Sequence, residues 1–279
     1  MKKHLATAVF VRVSHTALTL GVPATLLVKK TELRSALIDG ENLLYGVLYV
    51  TLLLTSLTFY HIACAVDPGY VPNTYKGIAN NDDSDDEDDL NDDDSEHGKM
   101  VKTKPRYCDY CEIDQPMRSR HCEDCGHCVR KFDHHCPWLE TCVGERNHKI
   151  FWLFLLTKVA VIGWTLLIIF NAIVYKAAWN EWGYSNVLYI IDSLILVISG
   201  LVVIGLWGFH TYIMGTNITT WEMVSRRRIT YLKYLDEDFN PFHEGYIKNI
   251  LYFLCVCNER NWEIVYRKNV KTENSYQMV

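Results

Sequence analysis

The residues best suited to chemistry lie in one cysteine-rich stretch, from Cys108 to Cys142. This stretch holds seven of the ten cysteines and four histidines. Cys108 with Cys111, and Cys122 with Cys125, have the two-residue spacing with which a chain turns around one metal ion. A secreted disulfide framework would spread its cysteines through a small domain without interleaved histidines. The pattern therefore favours zinc, and a reducing compartment.

The number of candidate ligands leaves the function of this stretch open. Structural zinc takes four ligands, so two sites would use eight of the eleven candidate side chains. Three side chains are then left over, and which three they are decides the function. On spacing alone, a zinc module that only binds proteins is as good an interpretation as an enzyme.

A run of four residues, Asp133-His134-His135-Cys136, indicates a second kind of chemistry. A cysteine thiol, with a pKa of about 8.5, is mostly protonated at neutral pH. An imidazole held by a carboxylate can accept its proton and make it a nucleophile. The third apolar stretch begins fifteen residues after Cys136, so this thiol is expected near the bilayer surface. Such a position suits a substrate that is half polar and half lipid.

Four long apolar stretches predict the elements that must position these residues. Each reaches the roughly 20 residues that a helix needs to cross the hydrocarbon core. The first is the weakest because it contains Arg12, His15 and Pro23, so a surface amphipathic helix is its alternative. The stretches lie at 9–28, 43–65, 151–175 and 187–209.

The distribution of charge predicts how the spans are oriented. The segment 66–150 carries eleven Lys and Arg, the tail after 214 carries nine, and the connection 176–186 carries only Lys176. Basic loops stay in the cytosol, so the cysteine-rich stretch and both termini are expected there. Eleven acidic residues between 82 and 96 account for the net charge of -5, which becomes +6 without them. This acidic run is expected to be a disordered tether.

The expected fold class is an all-α membrane protein. It has four transmembrane helices and a small cytosolic zinc-binding cysteine-rich domain between helices 2 and 3. The segments outside the spans are a cytosolic N-terminus at 1–8, a linker at 66–107, the cysteine-rich domain at 108–150 and a cytosolic tail at 215–279.

The order of the motifs extends over nearly the whole chain. The cysteine-rich stretch contains Pro116, Arg118, His121-Cys122, Cys125, Cys128, Asp133-His134-His135-Cys136-Pro137-Trp138, Cys142-Val143-Gly144, Asn147 and Phe151. Asp67-Pro68-Gly69 follows the second span, Thr219-Thr220-Trp221-Glu222 follows the fourth, and Asn240-Pro241-Phe242 with Gly245 and Asn249 comes later. With these motifs the chain resembles the DHHC protein S-acyltransferases, also called palmitoyltransferases.

The resemblance implies a role for each residue of the cluster. Cys136 would be the nucleophile, His134 its general base and Asp133 the carboxylate that orients His134. The implied reaction moves a long acyl group from palmitoyl-CoA to protein cysteines through an acyl-enzyme on Cys136. Two structural zinc ions are implied, one bound by Cys108, Cys111, His121 and Cys128, the other by Cys122, Cys125, His135 and Cys142.

Ligand contacts and location are expectations of the same kind. Arg118 and Arg120 would attract the phosphates of acyl-CoA, with a structural salt bridge as an equal alternative for each. The expected partners are the lipid bilayer and membrane-associated proteins with cytosolic cysteines, and nucleic acid is not expected. Golgi residence, with some endoplasmic reticulum, is implied. Cys255 and Cys257 would be either acylated thiols near the membrane or ordinary buried ones.

Two other classes of protein compete with an acyltransferase. A catalytically silent zinc scaffold would need a damaged nucleophile or base, and both are intact. A channel or transporter would line its spans with polar residues, whereas here they concentrate in one loop.

Overall fold

The computed structural model describes residues 2–75, 106–255 and 259–277, so the acidic run at 82–96 lies outside it. The described backbone is mostly helical, with small β-hairpins in the cysteine-rich stretch. The chain divides into two compact units. The membrane unit comprises Met1–Val66, Cys136–Thr141 and Asn147–Tyr212, and the cysteine-rich unit comprises Asp67–His135, Cys142–Arg146 and Ile213–Val279.

Within the described residues, four helices are long and apolar enough to cross a membrane. The helices of this region are α1 (Lys2–Val28), the short α2 (Glu32–Arg34, continued by a π-helical turn over Ser35–Asp39), α3 (Leu43–Ala65), α4 (His148–Ala172) and α5 (Trp179–Thr216). The candidate spans are α1, α3, α4 and α5. These helices, with the cysteine-rich region between α3 and α4, confirm the predicted fold class.

Helix α5 is much longer than the apolar stretch predicted at 187–209. It has 38 residues, which is about 57 Å at 1.5 Å per residue. The hydrocarbon core is only about 30 Å thick. Near its start, the side chain of Asn186 accepts from the N–H of Val174 (2.9 Å) and donates to its carbonyl (2.8 Å). Asn186 thus joins the first turns of α5 to the segment before the helix. Hydropathy does not detect these first turns because they contain polar residues.

The interior of the membrane unit is largely apolar, and hydrogen bonds link its helices. Leu26, Tyr49 and Ile168 belong to its largest buried cluster. The Tyr49 hydroxyl on α3 lies 2.8 Å from the Thr165 hydroxyl on α4. A buried hydroxyl without a partner would cost about 1–3 kcal/mol, so this pair satisfies both groups inside the core.

Three two-stranded hairpins carry the cysteines of the cysteine-rich stretch. Each strand has three residues, and each hairpin closes over a short turn that begins at a cysteine. The pairs are β1 (Arg106–Cys108) with β2 (Ile113–Gln115), β3 (Arg120–Cys122) with β4 (His127–Val129), and β5 (His134–Cys136) with β6 (Thr141–Val143).

After α5, the described part of the cysteine-rich unit is a largely helical tail. Its helices are α6 (Thr220–Ser225), α7 (Tyr246–Cys255) and α8 (Trp262–Gln277). Helix α6 begins at a capping box between Thr219 and Glu222, in which each side chain bonds the backbone N–H of the other. Cys255 is an exposed thiol, so the second of its two alternatives, an ordinary buried thiol, is wrong at this position. Cys257 lies outside the described residues.

Candidate active site and metal centres

The first group of possible metal ligands consists of Cys108, Cys111, His121 and Cys128. Their ligand atoms all lie within 4.8 Å of one another. The Nδ1 atom of His121 is 3.3 Å from the Cys111 sulfur and 4.0 Å from the Cys128 sulfur. Two sulfurs come from the β1–β2 turn, and the other two ligands come from β3 and β4.

The second group consists of Cys122, Cys125, His135 and Cys142, also within 4.8 Å of one another. The Nδ1 atom of His135 lies 3.6, 3.4 and 3.7 Å from the three sulfurs in that order. The sulfurs of Cys125 and Cys142 are 3.5 Å apart.

Both groups fit a tetrahedral zinc ion. Zinc bonds of about 2.0–2.3 Å place neighbouring ligand atoms of a tetrahedron about 3.6–3.8 Å apart. The measured separations scatter around that value. Three sulfurs and one imidazole nitrogen form a common structural set, and the four protein ligands leave no open position. The two groups match, residue by residue, the sets that the family resemblance implies.

The turns that present the paired cysteines share one shape. In the first, the N–H of Glu112 donates to the carbonyl of Cys108 (2.8 Å), and Glu112 has φ of 55°. In the second, the N–H of Gly126 donates to the carbonyl of Cys122 (2.8 Å), and Gly126 has φ of 68°. This left-handed residue reverses the chain and brings the two cysteines of the turn onto one side.

Cys136 begins a third turn of this shape, within the membrane unit. The N–H of Glu140 donates to the carbonyl of Cys136 (2.9 Å), and Glu140 has φ of 53°. Leu139, which is fully buried, stands where the other two turns have their second cysteine. The third turn therefore has the shape of the two turns with paired cysteines but contains only one cysteine.

A fourteen-residue repeat accounts for this arrangement. Every ligand of the second metal group lies fourteen residues after its counterpart in the first. Moving on another fourteen residues from Cys122 gives Cys136. The same step from His135 and Cys142 gives Lys149 and Leu156, which are not zinc ligands of the usual kind. Cys136 therefore occupies a ligand position of the repeat without partners to complete a third site.

The segment after Cys136 is held by donors from two membrane helices. The Tyr60 hydroxyl on α3 donates to the carbonyl of Trp138 (3.0 Å). The Arg12 guanidinium on α1 donates to the carbonyl of Cys64 (3.2 Å) and reaches that of Leu139 at 3.5 Å. Arg12, whose charge weakened the prediction of the first span, therefore binds backbone carbonyls.

Asp133 and His134 form a pair at the start of the third hairpin. The Nδ1 atom of His134 lies 2.7 Å from an Asp133 carboxylate oxygen. The Asp133 side chain is fully buried, whereas that of His134 is 30% exposed. His134 and Cys136 are the first and last residues of β5, and side chains two residues apart on a strand project to the same face.

Thr220 is a further partner of Asp133 that the sequence does not predict. Its backbone N–H donates to one carboxylate oxygen and its hydroxyl donates to the other, each at 2.8 Å. The carboxylate thus accepts from Thr220 on both sides while it faces His134. Because hydrogen bonds to a carboxylate favour its charged form, this arrangement keeps Asp133 suited to orienting an imidazole. Thr220 belongs to the motif that follows the fourth span.

Arg118 is fully buried in an ion pair. Its Nε and Nη2 atoms donate to the Glu222 carboxylate at 2.7 and 2.6 Å, and further bonds reach Asn217. The guanidinium also lies 3.9 Å from the centre of the Phe242 ring. The salt-bridge alternative is the one observed for this arginine, and its burial leaves no donor facing solvent for a phosphate.

Arg120 is exposed and lines an open cleft in the cysteine-rich unit. The cleft has a volume of about 240 Å³ and is also lined by Arg106 and Arg228. Trp221 forms part of its wall, and the Arg120 guanidinium lies 5.4 Å from the centre of that ring. Asp109 and Glu123 also line the cleft, so three guanidinium groups outnumber two carboxylates in a partly aromatic wall, and guanidinium groups suit an anionic ligand.

Lys131 is a half-buried lysine of the same unit. Its ammonium donates to the side-chain oxygen of Asn217 (2.9 Å) and lies 4.9 Å from the centre of the Trp262 ring. Burial, and after it the nearby charge of Arg118, lowers the pKa of Lys131 to about 7. The sequence does not predict the surroundings of Lys131, because Asn217 and Trp262 come from distant parts of the chain.

Comparison with known proteins places this geometry in a family. The family model of the DHHC palmitoyltransferases matches residues 101–227. The human protein named palmitoyltransferase ZDHHC12 is 35% identical over 276 residues, which cover 97% of this chain and 97% of the human one. The mouse protein of that name is 36% identical, covering 99% and 98%. Protein S-acyltransferase 10 of Arabidopsis thaliana is 40% identical over 54% of this chain and 43% of its own. With these motifs, helices and relatives, the chain belongs to the DHHC palmitoyltransferase family.

Proposed function

We propose that this protein transfers a long acyl group from palmitoyl-CoA to cysteine thiols of other proteins, with Cys136 as the nucleophile. The observation that carries the proposal is the pair of Asp133 and His134, held by Thr220 and placed on the strand that ends at Cys136. Family membership and the names of the relatives support the same activity.

The reaction proceeds in two thioester exchanges. His134 takes the proton of Cys136, and the thiolate attacks the carbonyl carbon of palmitoyl-CoA. A carbon–sulfur bond forms to Cys136, the bond to coenzyme A breaks, and the leaving thiolate takes the proton. A substrate cysteine then gives its proton to His134 and attacks the acyl-enzyme, which releases Cys136. Asp133 orients His134 and stabilises its charged form.

Two structural zinc ions are part of the proposal. One would be held by Cys108, Cys111, His121 and Cys128, and the other by Cys122, Cys125, His135 and Cys142. Each set is closed by four protein ligands, so zinc would fix the hairpins and would not meet the substrate. Cys136 and His134 belong to neither set, which leaves both for catalysis.

Arg120 is the proposed contact for the phosphates of acyl-CoA. It shares its cleft with Arg106 and Arg228, and a cluster of guanidinium groups is the side-chain chemistry that phosphates favour. Arg118 takes no part in this contact, because its donors are used by Glu222 and Asn217. The acyl chain would be held in apolar surroundings, where each buried methylene contributes about 0.8 kcal/mol.

Location and substrates follow from the same proposal. The cysteine-rich unit and both termini would face the cytosol of Golgi or endoplasmic reticulum membranes, because the basic segments do. The substrates would be membrane-associated proteins with cytosolic cysteines. Protease protection in sealed vesicles tests the orientation. Cleavage at 176–186 together with protection of 82–96 would reverse it.

The activity itself is tested by mass analysis of the purified full-length chain after incubation with palmitoyl-CoA. We expect one added palmitoyl group on the peptide that contains Cys136, removable by hydroxylamine as a thioester is. A catalytically silent zinc scaffold would show two zinc ions and no such adduct, and that result would overturn the proposal.

A further inference from the structure

Arg12 is a half-buried cation in α1, the first candidate membrane helix. In the part of the chain that the structure describes, no carboxylate pairs with it. Its Nε–H is buried and has no hydrogen-bond partner among the described residues. Because a charge is costly inside a membrane, an ionisable residue in a membrane helix is by default a candidate for function. Arg12 therefore has both a charge and a donor that its structural contacts do not use.

The Arg12 guanidinium lies beside the turn that begins at the nucleophile. Its Nη2 atom is 3.2 Å from the carbonyl oxygen of Cys64 and 3.5 Å from that of Leu139. The N–H of Leu139 in turn donates to the carbonyl of Cys136 (3.1 Å). The Tyr60 hydroxyl is close enough to interact electrostatically with both Arg12 and Cys136. All of these residues belong to the membrane unit.

The turn itself offers few N–H groups to a reacting oxygen. Attack on a thioester places negative charge on its carbonyl oxygen, and enzymes of acyl transfer direct hydrogen-bond donors at that oxygen. Pro137, directly after the nucleophile, has no N–H. The N–H groups of Leu139 and Glu140 both donate to the carbonyl of Cys136, at 3.1 and 2.9 Å. Within residues 137–140 this leaves the N–H of Trp138, so a further donor has to come from another element.

We infer that Arg12 is a catalytic residue that stabilises the oxyanion formed when Cys136 attacks palmitoyl-CoA. The inference rests on the proposed function. The sulfur of Cys136 bonds to the carbonyl carbon, and one electron pair of the C=O double bond moves to the oxygen. That oxygen accepts a hydrogen bond from the Nε–H of Arg12, which keeps its proton because a guanidinium does not deprotonate in proteins. When the double bond forms again, the bond to coenzyme A breaks. The attack of a substrate cysteine on the acyl-enzyme passes through an oxyanion at the same place.

Two reactions of the same thiol separate this role from a structural one. Acylation by palmitoyl-CoA forms an oxyanion, whereas alkylation by iodoacetamide displaces iodide and forms none. Both rates are measured on the purified full-length chain by mass analysis of the peptide that contains Cys136. For Arg12→Gln we expect acylation to slow by about 10²-fold, as when an enzyme loses one oxyanion donor. Alkylation should keep its rate within about twofold, because it needs only the thiolate.

Arg34→Gln is the matched control for the loss of an arginine. Arg34 belongs to the same unit and also donates to a backbone carbonyl, that of Leu27 (2.8 Å). Both rates should be unchanged in this variant. Arg12→Lys is a second variant, for the case that Arg12→Gln does not fold. A lysine lacks the planar fork of donors, so its ratio of acylation rate to alkylation rate should fall by at least about fivefold.

Two results would overturn the inference. An equal loss of acylation and alkylation would mean that Arg12 only holds the turn. A normal ratio of the two rates in the Arg12 variants would mean that another group stabilises the oxyanion. Failure of the proposed function itself would look different, because the unchanged chain would then be alkylated on Cys136 but not acylated.

Discussion

The two units of this molecule treat buried polarity in opposite ways. In the membrane unit, polar side chains that face the interior meet neutral partners, as Lys158 meets the Thr19 hydroxyl. Tyr49 meets Thr165, and Thr25 donates to Asp192 at 2.5 Å. In the cysteine-rich unit, Arg118 and Glu222 form an ion pair with both side chains fully buried. The same unit holds two groups of closely spaced sulfur and imidazole ligands.

The difference follows from what surrounds each unit and how each forms a core. A membrane helix satisfies its own backbone, so apolar side chains and a few hydrogen bonds between helices are enough. Hairpins with three-residue strands cannot bury enough apolar surface to be stable alone, and small domains of this kind rely on metal ions. The cysteine-rich unit adds a buried ion pair whose partners are fixed by several hydrogen bonds. Removing one ligand or one charge should therefore damage this unit far more than a comparable change in the other.

Cys122→Ser should have the largest effect, because it removes a ligand from the second metal group. Structural zinc contributes about 10–16 kcal/mol to the folding of zinc-finger peptides. We expect less zinc per chain and rapid proteolysis of the cysteine-rich unit, with the spans still inserted. Cys64→Ser is the matched control, since Cys64 is buried in the membrane unit outside both groups. Full zinc content in Cys122→Ser would show that this unit does not depend on the metal.

His134→Ala separates chemistry from folding in the cysteine-rich unit. Loss of a general base typically lowers a rate by about 10²–10⁴-fold, so we expect acyl-enzyme formation to fall by that factor with zinc retained. The deficit should shrink as the pH rises toward the thiol pKa of about 8.5, because Cys136 then ionises without help. His127→Ala is the control, at an exposed histidine of the same unit. Equal rates for the two variants would remove His134 from the mechanism.

Glu222→Gln tests the buried ion pair. Removing one partner of such a pair leaves an uncompensated charge and costs about 3–5 kcal/mol. We expect the cysteine-rich unit to unfold at a lower temperature, measured by zinc release or proteolysis. Glu237→Gln breaks the exposed pair with Arg227, and exposed pairs contribute only about 0–1 kcal/mol. If both variants unfolded at the same temperature, Arg118 and Glu222 would not stabilise the core.

Tyr49→Phe should have the smallest effect, because it removes one hydrogen bond from the membrane unit. Hydrogen bonds between membrane helices average about 0.6 kcal/mol. A slightly lower midpoint in unfolding by detergent is expected, with the zinc content unchanged. Tyr184→Phe is the control, since Tyr184 is exposed. A loss as large as that of Glu222→Gln would contradict the contrast between the two units.

The sequence predicts the features that depend on local composition or on the spacing of residues close together in the chain. The spans were predictable because a membrane requires about 20 apolar residues in a row. Pairs of cysteines separated by two residues predicted the metal ligand groups. The partners of Arg118 and Asp133 were not predictable, because Glu222 and Thr220 follow them by 104 and 87 residues. The bond from Lys158 to the Thr19 hydroxyl (2.6 Å) likewise joins two spans, and hydropathy does not specify which spans are neighbours.

The measurement that tests the central claim most directly is made on Cys136→Ser. The full-length variant is purified, its zinc content is determined, and acyl-enzyme formation and transfer to a substrate cysteine are followed with palmitoyl-CoA. Because Cys136 lies outside both metal groups, we expect two zinc ions per chain, as in the unchanged protein. We also expect no acylation and no transfer, because a serine hydroxyl ionises far less readily than a thiol. Loss of a zinc ion, or transfer at the normal rate, would contradict the role of Cys136 as the nucleophile.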